Sequence, residues 1–126
     1  MTAVGDSDEE ISKTREHART MIAFYGSTPG YEAMFDHHGY MGMGAELNAL
    51  QKRGDIPGMQ SLITDEVMSH YAVEASWNDL GSKLVERYRD LAPNVRVISY
   101  TAADHWSDPS MREKWSQVTK TMRDAG

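Results

Sequence analysis

Cysteine is missing from this chain of 126 residues. Without thiols there is no disulfide, no thiolate nucleophile and no cysteine-ligated zinc site. Long apolar runs are missing too, since no stretch approaches the about 18 residues that a membrane-spanning helix needs. The start of the chain, Met1–Glu10, lacks the basic and apolar regions of a secretory signal. These absences predict a cytoplasmic protein that does not enter a membrane.

Positive charge is also in short supply. The chain has 13 Lys and Arg residues against 19 Asp and Glu residues, which gives a formal net charge of −6. Binding to nucleic acid depends on clustered Lys and Arg, so the charge argues against nucleic acid as the main partner. The remaining composition, 40% hydrophobic and 25% charged, is that of an ordinary globular protein.

Apolar periodicity and capping residues predict a mainly helical chain. Ser7 and Glu10 form a capping-box pattern, and Ser76 with Asp79 forms a second one. Asp108 precedes Pro109, which is a typical helix start. The predicted helices cover residues 8–24, 31–38, 45–53 and 55–70, a segment between Ser76 and Pro93, and a last segment from Pro109 onward. Residues 1–7 are expected to be frayed.

One segment has the composition of a β-strand. Val95–Tyr100 is rich in β-branched residues and is bounded by turn formers. The sequence therefore predicts a predominantly α structure with one main β-strand. A lone strand leaves its backbone groups unpaired, so it needs neighbouring strands from elsewhere.

The turn after the first helix contains the best candidates for a binding site. Tyr25, Ser27, Thr28 and Tyr31 surround a Ser-Thr-Pro-Gly turn that precedes a helix. Hydroxyls and free amides at a helix start can hold an anionic or carbonyl group. The alternative interpretation is a capped turn in which the two tyrosines pack in the core.

Two other groups of polar residues are weaker candidates. His37 and His38 are adjacent and point about 100° apart on a helix, so they cannot chelate one metal ion together. No metal site is expected, although one of the pair could act as a general base. The adjacent carboxylates of Asp65 and Glu66 are better interpreted as a solvated helix face or as partners of basic residues.

An ordered set of motifs resembles the luciferase-like oxidoreductases, in particular the branch that uses the deazaflavin coenzyme F-420. The resemblance extends from about Arg19 to Tyr100 and more loosely through Trp115. Its motifs are Ile22-Ala-Phe-Tyr-Gly-Ser-Thr-Pro-Gly-Tyr31, Asp36-His-His-Gly39, Glu46-Leu-Asn-Ala-Leu50, Arg53-Gly-Asp55 and Leu62-Ile-Thr-Asp-Glu66. One departure is Val73-Glu-Ala-Ser76, where relatives tend to carry Val-Gly-Thr.

The resemblance implies a fold and a division of labour. Luciferase-like enzymes are (β/α)8 TIM barrels of roughly 300 or more residues. Residues 1–126 would be a single truncated barrel segment, comprising a helical excursion after strand seven, helix seven, strand eight and helix eight. The resemblance places Tyr25, Ser27, Thr28 and Tyr31 on the substrate side and Tyr100 at the mouth of strand eight. Most contacts to F-420 or flavin mononucleotide (FMN) would lie in the missing part, so this chain alone is expected not to bind either coenzyme tightly.

Three functional hypotheses follow from the sequence. The first is the C-terminal segment of an oxidoreductase that transfers a hydride between a small organic substrate and a deazaflavin. The second is a non-catalytic helical remnant that dimerises or docks on a barrel-completing polypeptide. The third is an unrelated small helical binding module.

Overall fold

The structure is a computed structural model in which residues 1–90 and 107–125 are described, and these residues are mostly helical. Its elements in chain order are β1 (Thr2–Gly5), α1 (Asp8–Gly26), a 3-10 turn (Pro29–Tyr31), α2 (Glu32–His37), α3 (Met43–Lys52), α4 (Ile56–Leu62), α5 (Asp65–Tyr71), β2 (Val73–Ser76), α6 (Trp77–Tyr88) and α7 (Pro109–Asp124). The chain packs as two compact units. We call Met1–Arg15 with Val73–Gly126 the sheet unit, and Glu16–Ala72 the helical unit.

A short parallel pairing of strands organises the sheet unit. β1 lies beside β2, with Thr2 opposite Val73 and Gly5 opposite Ser76. The Thr14 hydroxyl on α1 supports β1, because it accepts a hydrogen bond from the Val4 amide at 2.9 Å. The first residues therefore form an ordered strand, contrary to the expectation that residues 1–7 are frayed.

The core of the sheet unit lies where α6 packs against α7 and the strands. The rings of Trp77 and Trp115 meet edge to face with centroids 5.2 Å apart. The two helices approach closely at Gly81, where an added Cβ would lie 2.8 Å from the Cβ of Thr121. The buried side chains of this core are Val4, Val73, Ala75, Trp77, Leu80, Leu84, Trp115 and Val118.

The helical unit has a separate core. Its largest fully buried side chains are Phe35, Leu47, Ile63 and Val67, which come from α2, α3, α5 and the α4–α5 junction. α1 meets this core at Gly26, where only glycine fits: an added Cβ would lie 2.4 Å from the Phe35 ring. Apolar burial of this kind is the main stabilising contribution in a small domain.

Most predicted helices are confirmed. The Ser76 hydroxyl caps α6 by accepting from the Asp79 amide at 3.2 Å, and Asp108 caps α7 by accepting from the Ser110 amide at 2.8 Å. In the first capping box, the Ser7 hydroxyl accepts from the Glu10 amide at 3.2 Å. The Glu10 carboxylate accepts a hydrogen bond from the Asp6 amide, whereas a standard capping box would use the Ser7 amide.

The single helix predicted over residues 55–70 is wrong. Ile63 leaves the helical conformation with a ψ of 75°, and Thr64 then caps α5 by accepting from the Val67 amide at 3.3 Å. The Arg19 guanidinium binds the Ile63 carbonyl and pairs with Asp65 at 2.7 Å, which holds this break in place. The apolar periodicity continued through the break because Ile63 and Val67 both face the same core.

The expected barrel fragment with one main strand is also wrong. The described residues contain a small parallel sheet of two strands, β1 and β2, within a mostly helical structure, and no barrel is evident in them. Both strands have four residues, which is the shortest length at which an alternating pattern indicates a strand. The predicted strand Val95–Tyr100 lies outside the described residues.

Candidate functional site

Ser27 stabilises the turn after α1 through buried hydrogen bonds. Its side chain is fully buried, and its hydroxyl lies 2.6 Å from the Phe24 carbonyl and 2.9 Å from Oε1 of Gln51. The Asn48 side-chain amide donates to the Ser27 carbonyl at 2.8 Å. A hydroxyl has one proton, so both contacts are satisfied if the Gln51 amide presents its nitrogen. These bonds hold the Ser27 side chain inside the fold, whereas the sequence predicted it as a substrate contact.

Thr28 precedes the 3-10 turn in an extended conformation, with φ −84° and ψ 125°. Its side chain is exposed and makes no capping hydrogen bond. The element that follows is short: a three-residue 3-10 turn leads into the six-residue α2, whose first turn carries Glu32. The negative charge of Glu32 already compensates the positive end of the helix dipole, so the expected anion site at this helix start is not supported.

Tyr25 and Tyr31 form an aromatic rim with Phe24. The ring centroids of Tyr25 and Tyr31 are 6.0 Å apart, and those of Phe24 and Tyr25 are 5.8 Å apart. Tyr31 is 41% exposed and Phe24 is 50% exposed, whereas Tyr25 is half-buried. The structure therefore brings Tyr25, Thr28 and Tyr31 together at the surface. Tyr100, the fifth residue suggested by the sequence, lies outside the described residues.

A second cluster, which the sequence analysis missed, brings histidines and tyrosines together. The rings of His38 and His70 are stacked, with centroids 4.0 Å apart and planes inclined by 22°. Tyr40 lies 5.8 Å from His70, and Tyr71 lies 5.6 Å from His38. We call His37, His38, Tyr40, His70 and Tyr71 the histidine–tyrosine cluster. Its members come from α2, the loop after it and α5, so no local spacing could reveal it.

The surroundings of His38, Tyr40 and Tyr71 favour the neutral forms of these three side chains. Desolvation, followed by the neighbouring His70 and His37, lowers the pKa of His38 below its usual range. Desolvation, followed by the Glu66 carboxylate, raises the pKa of Tyr40. Desolvation and then Tyr40 raise the pKa of Tyr71, whose hydroxyl donates to the Met34 carbonyl at 2.8 Å. At neutral pH the cluster therefore offers a neutral imidazole at His38 and neutral phenols.

The cluster does not have the composition of a metal centre. Across residues 1–90 and 107–125, no three His, Asp or Glu side chains are grouped so that they could hold a metal ion. The nitrogen lone pairs of two stacked imidazoles lie in nearly parallel planes, so they cannot point at the same metal ion. In the same part of the chain, no helix is long and apolar enough to cross a bilayer.

Comparison with known proteins finds relatives of greater length. An uncharacterized protein of Mycobacterium bovis and one of Mycobacterium tuberculosis are each 30% identical to this chain over 113 residues. The match covers 90% of this chain and 33% of each relative, so the chain spans about a third of the length of the curated relatives it matches. No family model matches the chain, and no solved structure matches it.

Proposed function

We propose that this chain is the C-terminal segment of a luciferase-like, deazaflavin-dependent oxidoreductase and supplies its substrate-side surface. The observation that carries this proposal is the exposed rim of Tyr25, Thr28 and Tyr31 on a turn that Ser27 fastens from inside. A substrate surface needs polar groups held in place before the substrate arrives, because ordering them on binding would cost free energy.

The chemistry of the rim suits a small organic carbonyl or alcohol. The phenols and the Thr28 hydroxyl can donate to or accept from one oxygen atom, and the Phe24 and Tyr25 rings provide an apolar wall. In the reaction, a substrate C–H carbon would give a hydride to the oxidised deazaflavin while the hydroxyl proton leaves to a base or to water, which yields a carbonyl. The coenzyme carries the electrons, and this chain would orient the substrate.

The length of the relatives supports the idea that this chain contacts the substrate while another part of a longer protein binds the coenzyme. The matched 113 residues are 33% of each mycobacterial relative, so each relative is about three times as long as the segment it shares with this chain. In a protein of that length, the coenzyme contacts can come from the other two thirds. The net charge of −6 also disfavours tight binding of a phosphate-bearing coenzyme by this chain alone. A cytoplasmic location, and no nucleic-acid partner, are part of this proposal.

A second candidate function is a non-catalytic helical module that pairs with another copy of itself or docks on a completing polypeptide. The observation in its favour is the exposure of large apolar side chains in the helical unit. These are Phe24, Tyr31, Met34, Met41 and Ile56. Apolar groups left in water favour association when they are contiguous, and sedimentation of the pure protein over a range of concentrations tests this alternative.

The test of the first proposal has a coenzyme arm and a substrate arm. In the coenzyme arm, the purified chain is titrated with F-420 and with FMN by calorimetry, and we expect no binding at micromolar concentrations. Micromolar binding of either coenzyme would overturn the division of labour. It would show that this chain holds the coenzyme itself.

In the substrate arm, a panel of small alcohols and ketones at millimolar concentration is added to the isotope-labelled chain. We expect NMR shift changes centred on Tyr25, Thr28 and Tyr31, and their loss in Tyr31→Ala. Met41→Ala is the matched control, since Met41 is 73% exposed but is not part of the rim. If the rim resonances do not respond to any compound, or respond equally in Tyr31→Ala, the substrate assignment fails.

A further inference from the structure

The stacked imidazoles of His38 and His70 join two elements of the helical unit. His38 is the C-cap of α2, and His70 lies in the last turn of α5. The same two elements meet at two further places: the Tyr71 hydroxyl donates to the Met34 carbonyl at 2.8 Å, and the rings of Tyr71 and Phe35 touch edge to face at 5.6 Å. The end of α2 is thus held on α5 by aromatic and polar contacts at its surface side.

We propose that the stacked pair of His38 and His70 is an acid-sensitive latch, which holds the end of α2 on α5 at neutral pH and releases it when both rings are protonated. Two neutral imidazoles, or one neutral and one charged, can stack at 4.0 Å. Two imidazolium rings at that distance repel each other, and water screens the repulsion only in part.

The groups around the latch carry both signs of charge and set how strong this repulsion is. Titratable groups near the pair include His37, Tyr40, Glu66 and Tyr71, and Asp36 lies two residues before His38 on α2. His37 lies 5.0 Å from His38 and adds a further positive charge when it is protonated. The tyrosines stay neutral throughout the range in which histidine titrates. Asp36 and Glu66 are the acidic groups of this set. Glu66 acts on Tyr40 and lies four residues before His70 on α5, so its charge offsets part of the repulsion, and removal of His70 or of the titrating ring of His38 isolates the remainder.

The direction of the pKa change at His38 agrees with the latch. Because the folded state lowers the pKa of His38, the unfolded state binds more protons at mildly acid pH. The stabilising contribution of the neutral stack is therefore complete above the ordinary histidine pKa of about 6.5. It is lost as the pH falls through the lowered value. The latch does not depend on the proposed function, and it would operate in either candidate.

The first experiment follows the imidazole resonances of each histidine by NMR between about pH 8 and pH 5, the range in which histidine titrates. We expect His38 to titrate below the ordinary histidine pKa of about 6.5. His70→Asn should raise the pKa of His38, because it removes both the stacking ring and its charge. The matched control His17→Asn should leave it unchanged. If His38 has the same midpoint in His70→Asn and in the unchanged chain, there is no coupling and the latch is excluded.

The second experiment measures release directly, by amide hydrogen exchange at the end of α2 after correction for the intrinsic effect of pH. Acidification should reduce protection at His38, Gly39 and Tyr40, whose amides donate to carbonyls of Phe35 and Asp36, several-fold more than at the α6 amides. His38→Phe keeps a ring that can stack but cannot be protonated, so it should abolish this extra loss. The latch is overturned if His38→Phe loses protection on acidification as much as the unchanged chain does.

Discussion

Among the described residues, the two units differ in the aromatic side chains that they leave exposed. In the sheet unit, Trp77 and Trp115 are buried against each other between α6 and α7. In the helical unit, Phe24 and Tyr31 stand at the surface and the histidines stack at the edge of the core. Among the described residues, five of the six exposed large hydrophobic side chains belong to the helical unit, and the sixth is Met1.

This contrast indicates which unit is the better candidate for a functional site. A buried aromatic pair contributes stability through area and edge-to-face contact. A group of adjacent aromatic side chains at the surface, such as Phe24, Tyr25 and Tyr31, contributes less to stability and is a candidate for contact with a ligand or partner. Both proposals therefore concern the helical unit, and the sheet unit serves as an internal reference for stability.

The largest expected effect is in the sheet unit. Leu84 is 2% exposed in the core beside Leu80 and Trp115. Leu84→Ala removes three carbons from a close-packed site and leaves a cavity, so it should reduce the free energy of unfolding by about 2–5 kcal/mol. Denaturant titration measures the total loss, and hydrogen exchange locates it.

This variant also tests the contrast between the units. If each core is stabilised separately, protection should fall at amides of α6 and α7 and change less at amides of α3 and α5. Equal loss across both units would mean that they unfold as one block. A total loss below about 1 kcal/mol would mean that the Leu84 site is not close-packed in solution.

A smaller effect is expected where α1 meets the core of the helical unit. At Gly26, an added Cβ would lie 2.4 Å from the ring of Phe35, which is itself fully buried and cannot move aside freely. Gly26→Ala should therefore be destabilising, because overpacking costs about 1–3 kcal/mol and exceeds the gain of about 1 kcal/mol in helix propensity.

The matched control for this variant is Gly30→Ala in the 3-10 turn. An added Cβ at Gly30 would meet nothing within 4 Å, so the melting temperature should stay unchanged or rise slightly, because alanine restricts the unfolded chain more than glycine does. Thermal unfolding of the two variants side by side gives the comparison. If Gly26→Ala is as stable as Gly30→Ala, the Phe35 ring has room to shift, and the core of the helical unit is looser than that of the sheet unit.

Local signals carried the parts of the fold that were predicted correctly. The side chains of Ser76 and Asp108 each accept a hydrogen bond from an amide no more than three residues later in the chain. The sequence alone therefore identifies both helix caps. The start of α1 at Asp8 is confirmed for the same reason. The helix break at Ile63 has a local signal in Thr64, which caps α5, and a distant partner in Arg19, which binds the Ile63 carbonyl. It was missed because the apolar periodicity continues through it.

Contacts between distant residues account for the rest. The pairing of β1 with β2 and the stacking of His38 on His70 join segments that have no shared local pattern. The rim of Tyr25, Thr28 and Tyr31 was anticipated because all three residues belong to one turn. Whether Ser27 points inward or outward depends on Asn48 and Gln51, which come from α3. The barrel expectation came from motif resemblance, and no pattern of strands in the described residues supports it.

The smallest effect is expected at the exposed start of α7. Asp108 accepts hydrogen bonds from the hydroxyl and the amide of Ser110, both at 2.8 Å, and these bonds lower the pKa of its carboxyl group below the usual value. A lowered pKa in the folded state means that the carboxylate contributes stability above the ordinary Asp pKa of about 3.9, and that this contribution is lost as the pH falls through the lowered value.

Asp108→Asn keeps an oxygen that can cap the helix but removes the titrating charge. Its stability should therefore be slightly lower than that of the unchanged chain at neutral pH, and the two should converge at strongly acid pH. Urea titrations of both proteins at several pH values measure the difference. A difference that stays constant down to the lowest pH would show that the cap works through its geometry, with no contribution from charge.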